Sequence, residues 1–156
     1  MYAIIRVRGN ISVSPDTKKT FELLNLKSVN HLSVWQEDKS KLKMIKKVEN
    51  YSTFGTINET DLKELLEKRG KAIEGKLDVE KAVKGLIEGK KTKEVNLKNC
   101  FRLNPPKQGY ERKGIKKPFS LGGALGDRKE KMNILIKKML WVSNYGWKAK
   151  KKEKQS

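Results

Sequence analysis

Ala3-Ile4-Ile5-Arg6-Val7-Arg8 alternates apolar and cationic residues, putting Ile5 and Val7 on one face and Arg6 and Arg8 on the other. This is the period-two pattern of a half-buried strand, and Gly9-Asn10 ends it. Ser14-Pro15-Asp16 then offers an N-cap, a proline at the first helical position and an early acid, with Phe21, Leu23 and Leu24 following at helical spacing. Leu32-Ser33-Val34-Trp35 predicts a second strand. Leu42, Ile45 and Val48, with Met44 alongside, predict a lysine-covered second helix, and residues 51–57 a third strand. Strand, helix, strand, helix, strand over residues 1–57 describes an α+β sandwich with helices on one face of a sheet.

Beyond this core the pattern changes. Residues 58–70 carry Leu62, Leu65 and Leu66 before Gly70, and residues 78–89 carry Val79, Val83, Leu86 and Ile87, predicting a two-helix extension over 58–89. From Lys90 to Gly126 periodicity fades and Pro105, Pro106, Gly109, Gly114, Pro118, Gly122 and Gly123 interrupt any long element. Asp127 is expected to cap a last helix with Met132, Leu135, Ile136, Met139 and Leu140 on one stripe. This basic extended segment and helix occupy 90–147, and residues 148–156 form a lysine-rich tail expected to be disordered when free. Truncation after Gly89 is expected to leave a foldable core.

The charge is unevenly placed. The 156 residues hold 37 Lys and Arg against 18 Asp and Glu, a net +19. Residues 1–56 contribute +5, residues 57–89 contribute −1 and residues 90–156 contribute +15. Such self-repulsion has no purpose in an isolated globule, and its concentration in the last third marks an electrostatic footprint for a polyanion. One cysteine, Cys100, and one histidine, His31, exclude an internal disulfide and a zinc set. The chain reads as soluble and cytosolic, with no signal peptide, no membrane association, no metal and no cofactor.

The residues that point to chemistry are cations interleaved with aromatics: Arg102, Lys107, Tyr110, Arg112, Lys113, Lys116, Lys117, Phe119 and Arg128, in a Pro/Gly-rich strip. Arginine and lysine release counterions from phosphates, and aromatics stack on unpaired bases, the combination expected of RNA recognition. Tyr110 is expected to face RNA, and Phe119 to pack under the last helix against Leu135 or Met139. The Gly122-Gly123-Ala124-Leu125-Gly126 loop is a weak phosphate cradle, lacking the glycine order of a nucleotide motif. His31 has no nucleophile near it in sequence, and Glu59, Asp61, Glu64 and Glu67 interleave with lysines as a solvated face would, so no residue is assigned to catalysis. A small-molecule substrate is not expected. The readings left are a structural RNA binder, a free-standing RNA chaperone or architectural nucleic-acid binder, and an RNA-modifying enzyme.

Several blocks in order carry a resemblance. Residues 2–9 (Tyr-Ala-Ile-Ile-Arg-Val-Arg-Gly), Thr20-Phe21-Glu22-Leu23-Leu24-Asn25-Leu26 and Val29-Asn30-His31 resemble the opening of the universal ribosomal large-subunit protein thirty family. Lys68-Arg69-Gly70, Phe101-Arg102-Leu103-Asn104-Pro105-Pro106, Gly114-Ile115-Lys116-Lys117-Pro118-Phe119 and Leu125-Gly126-Asp127-Arg128 are similar to its longer archaeal form, whose eukaryotic counterpart is large-subunit protein seven. The resemblance spans about residues 1–140. It implies a ferredoxin-like βαβαβ core on an antiparallel sheet, followed by the helical extension and basic C-terminal segment. It also implies docking on 23S ribosomal RNA near the 5S RNA, beside neighbouring large-subunit proteins, with no catalysis. Arg6, Arg8, Asn30, His31 and the 107–128 strip are the RNA-facing elements it implies. The absent basic N-terminal extension favours an archaeal-type source, and residues 141–156 run past the usual family end.

Overall fold

The computed structural model describes residues 1–141. The expected core is present as β1 (Tyr2–Arg6), α1 (Pro15–Leu23), β2 (His31–Trp35), α2 (Lys39–Lys47) and β3 (Ser52–Thr56). Ser14 caps α1 through its side chain, which accepts from the Thr17 amide, with Pro15 opening the helix. β1 is central, antiparallel to β2 (Ile4 opposite Ser33) and to β3 (Ile4 opposite Phe54). Then come α3 (Glu59–Arg69), α4 (Val79–Ile87), β4 (Phe101–Arg102), β5 (Gly126–Asp127) and α5 (Met132–Met139). This is a ferredoxin-like α+β core with a helical extension.

Three expectations are corrected. First, the region between Lys90 and Gly126 is not merely extended: it supplies both outer strands of a five-stranded sheet ordered β4-β2-β1-β3-β5. β4 joins antiparallel to β2, whereas β5 joins parallel to β3, so the antiparallel core acquires one parallel edge. Second, helices cover both faces. Ile4 and Phe54 pack with Phe21, Leu24, Ile45 and Val48 under α1 and α2. Ala3, Ile5, Leu32 and Val34 pack on the other side with Leu62, Leu65, Leu86, Leu135 and Ile136 from α3, α4 and α5. β1 is therefore buried on both faces, and its alternation of Ile5 and Val7 with Arg6 does not separate core from solvent. Third, Asp127 does not cap α5. Its carboxylate accepts from the Lys129 amide at 2.8 Å and starts a 3₁₀ turn over Lys129–Lys131 that leads into α5.

The second core also decides how separable the chain is. Leu97, Phe101, Leu103, Met132 and Met139 share it with Leu62 and Leu66, so the segments bounded at residues 57 and 89 differ in charge but not in core. Truncation after Gly89 would leave α3 and α4 on this face of the sheet but remove Leu97, Phe101, Leu103 and the α5 side chains from the core they share. Among the carboxylates read as solvated, Asp61 is only 3% exposed and pairs with Lys137 at 3.0 Å, fastening α3 to α5.

The 3₁₀ turn and the start of α5 press against Gly55 of β3. A Cβ there would overlap the Lys129 carbonyl and lie 2.6 Å from the Met132 side chain. Gly55→Ala is expected to lower stability by about 1–3 kcal/mol through overpacking at this crossing. Chemical denaturation of the purified variant checks this, and an unchanged midpoint would show that α5 does not dock as described.

Candidate nucleic-acid interface

β1, β2 and β3 bring Arg6, His31 and Ser52 to one end of the sheet, and β4 and β5 flank that end. The 103–125 connection crosses it from one edge strand to the other. Its crossing is fixed by side chains. The Tyr110 hydroxyl donates to Asn30 Oδ1, and the ring packs against Val7, Ala124 and Leu125. Asn30 sits in a left-handed turn at φ 62°, where asparagine is tolerated, and its own amide and carbonyl bond to Arg6 and Leu103. Burial pushes the Tyr110 phenol up to about 12, with Arg128 pulling the other way.

Arg128 is the second fastening. It is 4% exposed, donates to Glu111 at 2.8 Å, to Thr53 Oγ1 at 3.0 Å and to the Ala124 carbonyl at 3.2 Å, and lies 4.7 Å from the Phe119 ring centre. The glycine loop is a third. The amides of Gly122, Gly123, Ala124 and Leu125 donate to carbonyls of Phe119, Pro118, Gly114 and Lys117, so none of the four remains for a phosphate, and the weak cradle is not formed. Gly123 is required by proximity, because a Cβ would overlap the Lys117 carbonyl. At the start of the strip, the Lys107 amide bonds to Lys138 and the Trp141 indole donates to the Pro105 carbonyl at 3.0 Å.

The residues expected to face RNA therefore separate into two groups. Arg102, Lys107, Arg112, Lys113, Lys116 and Lys117 are exposed. Arg8 is half-buried, donating to the Asn50 carbonyl and lying 5.1 Å from the Tyr51 ring centre. Arg6 is 2% exposed, contrary to its expected outward face. Its guanidinium lies 4.0 Å from the Phe21 ring centre and donates to the carbonyls of Arg8, Leu26 and Lys27 and to Asn10 Oδ1. Arg6 and Arg128 both use their donors inside the protein. Tyr110, expected among free aromatics, is a half-buried clamp, while Phe119 lies beneath Arg128 and Lys131 rather than deep under α5.

His31 opens β2 beside Arg102, with Nδ1 3.7 Å from Cys100 Sγ. Burial, then the charges of Arg102 and Arg6, hold its imidazole below the usual histidine range. Sequence reading missed the cations that gather around it: Lys27, Lys71, Lys93 and Lys98 line the same cleft, brought from separate loops with no motif to announce them.

A ferredoxin-like sheet carrying a fastened cationic strip across one end defines a nucleic-acid-binding module. The family model for ribosomal protein L30p/L7e matches residues 2–51. The large ribosomal subunit protein uL30 of Nanoarchaeum equitans is 45% identical over 149 residues, covering 87% of this chain and 96% of the relative. That of Methanococcus vannielii is 42% identical over 152 residues, covering 89% and 99%. That of Staphylothermus marinus is 38% identical over 160 residues, covering 90% and 98%. The chain belongs to the ribosomal protein L30p/L7e family.

Two outcomes follow from this geometry. Tyr110→Phe removes the donor to Asn30 and is expected to cost about 1 kcal/mol of stability by denaturant titration; no change would mean the clamp does not hold the strip. Because the unfolded imidazole titrates near 6.5 and the folded one lower, the unfolded state binds more protons in that interval, so stability falls as pH drops through 6.5 toward the folded value. The wild type should lose more stability over that window than His31→Gln, and equal losses would contradict the assigned environment of the ring.

Proposed function

We propose that this protein is a structural, non-enzymatic component of the large subunit of the cytoplasmic ribosome, where it binds and stabilises ribosomal RNA. The observation that carries the reading is the pairing of family membership, over nearly the whole chain, with a cationic strip fastened to the core. In more detail, the partner is 23S RNA, with the 5S RNA and other large-subunit proteins as neighbours. The exposed Arg102, Lys107, Arg112, Lys113, Lys116 and Lys117, together with Arg8, supply the phosphate contacts. Asn30, Tyr110, Arg6 and Arg128 act by positioning them.

The physical logic is pre-organisation. Ordering a flexible basic tail on RNA costs conformational entropy residue by residue, whereas a strip held by Tyr110 and Arg128 meets phosphates with its backbone already fixed. Contacts to phosphate set register and affinity, not sequence choice. The charge then serves to release counterions and to screen RNA helices that pack against each other. A free-standing chaperone would share the electrostatics, but the continuous similarity to ribosomal relatives supports the subunit reading instead.

Lys116→Ala with Lys117→Ala is the test. Binding to large-subunit RNA should weaken for all RNA sequences tried, and the slope of log affinity against log salt should become shallower by about one unit per lost contact. The wild type should also sediment with large subunits through a high-salt wash. A nearly flat salt titration of the wild type, or its release into the supernatant, would count against the proposal.

A further inference from the structure

The cleft around His31 lies at the β4 edge, across the sheet from β5, and it is built as firmly as the strip. Asn99 is 7% exposed and pairs with the free edge of β2 as a strand would: its Oδ1 accepts from the Val34 amide and its Nδ2 donates to the Val34 carbonyl, both at 2.8 Å. The Lys98 amide bonds to the Lys71 carbonyl at 2.9 Å, and Ala72 pairs with Leu97, which joins the chain after α3 to the chain before β4. These contacts set Lys71 and Lys98 side by side. Lys93 comes from the turn after α4, Lys27 from the loop after α1, and Arg102 from β4 itself.

The result is a concavity of about 410 Å³ with five cations and His31 in its wall and no carboxylate among its lining residues. None of the five cations is in an ion pair among the described residues. A merely solubilising surface looks different, and α3 shows it: Glu64 pairs with Lys68 on the same helix. Five like charges converging on one hollow repel each other, and an anion of comparable charge relieves that repulsion. A single small anion answers one or two of them; a row of phosphates answers all. Ile73, half-exposed in the same wall, offers an apolar surface against which a ribose or base can lie.

We propose that this cleft is a second RNA site, which grips the phosphate backbone of a segment other than the one lying on Lys116 and Lys117. β4 and β5 are the two outer strands, roughly 19 Å apart at the usual strand spacing, and Lys116 and Lys117 immediately precede the Pro118–Leu125 bridge that leads into β5. The protein then ties two RNA segments across the width of one sheet. This rests on the RNA-binding reading above and adds to it a second point of attachment.

The test uses the full-length triple variant Lys71→Gln, Lys93→Gln, Lys98→Gln, whose side chains are exposed and whose melting temperature should match the wild type. Hydroxyl-radical footprinting on protein-free large-subunit RNA is compared with that of the Lys116/Lys117 double variant, and each is titrated with salt. The expected result is two protected backbone stretches with the wild type, one lost in the triple variant and the other lost in the double variant. The salt slope of the triple variant should be shallower by about three units, one per cation removed. A footprint and slope identical to wild type in the triple variant, with the double variant still impaired, would overturn the second site while leaving the first reading standing. If neither variant changed either measure, both readings would fall. A triple variant with a normal RNA footprint that failed to enter assembled subunits would assign the cleft to an acidic protein neighbour, and would overturn the proposal.

Discussion

The guanidinium of Arg128 lies buried between the outer edge of the sheet and the basic strip, and the order of the last third of the chain depends on how its charge is answered. Burying an arginine is unfavourable unless hydrogen bonds and an opposite charge replace its water. Here Glu111 supplies the charge, Thr53 and the Ala124 carbonyl supply oxygen acceptors, and Phe119 covers the face of the fork. Each partner belongs to a different piece: Thr53 to β3, Glu111 to the early strip, Phe119 to a 3₁₀ turn over Phe119–Leu121, and Ala124 to the loop before β5. One side chain therefore holds together residues separated by as many as 75 positions. Beside it, the Tyr110 ring against Val7, Ala124 and Leu125 gives this proline-, glycine- and lysine-rich stretch a small apolar anchor.

Arg6 does comparable work on the opposite face of the sheet, where carbonyls of the α1–β2 loop and the Phe21 ring surround it. Two of the most basic groups in the chain are thus structural, and the lysines and arginines they position remain outside. That division bears on how a chain of net +19 folds: the interior guanidiniums find oxygen acceptors locally, with a carboxylate for Arg128, and the remaining charge is spread over the surface, where water screens it until a polyanion replaces the water.

The three core strands and the five α-helices among the described residues were legible because each rests on local signals: the Ser14-Pro15 start, the Leu62, Leu65 and Leu66 stripe, and the Met132 to Leu140 stripe. Five-residue β1 reads as an alternating strand although both its faces are buried, since Arg6 is polar yet interior. Nothing local distinguishes it from a solvent-facing arginine. β4 and β5 are two residues each and take their pairing from β2 and β3, so no period marks them. The strip was legible as charge and composition, but which cations are free depends on contacts across 17 to 75 positions, such as Arg128 with Glu111 and Thr53. Tyr110 misled for the same reason: glycine and charge surround it in sequence, while Asn30 and Val7 surround it in space. The cleft around His31 was invisible because its lysines arrive from loops that share no spacing.

The cationic strip is folded onto the sheet before any RNA is present. Amide hydrogen exchange of the free protein tests it most directly. The Phe119, Gly123, Leu125 and Arg128 amides, bonded to the carbonyls of Leu125, Pro118, Lys117 and Phe54, should exchange slowly and on the same scale as the β1 amides. Exchange of these four at random-coil rates, with β1 still protected, would contradict the account.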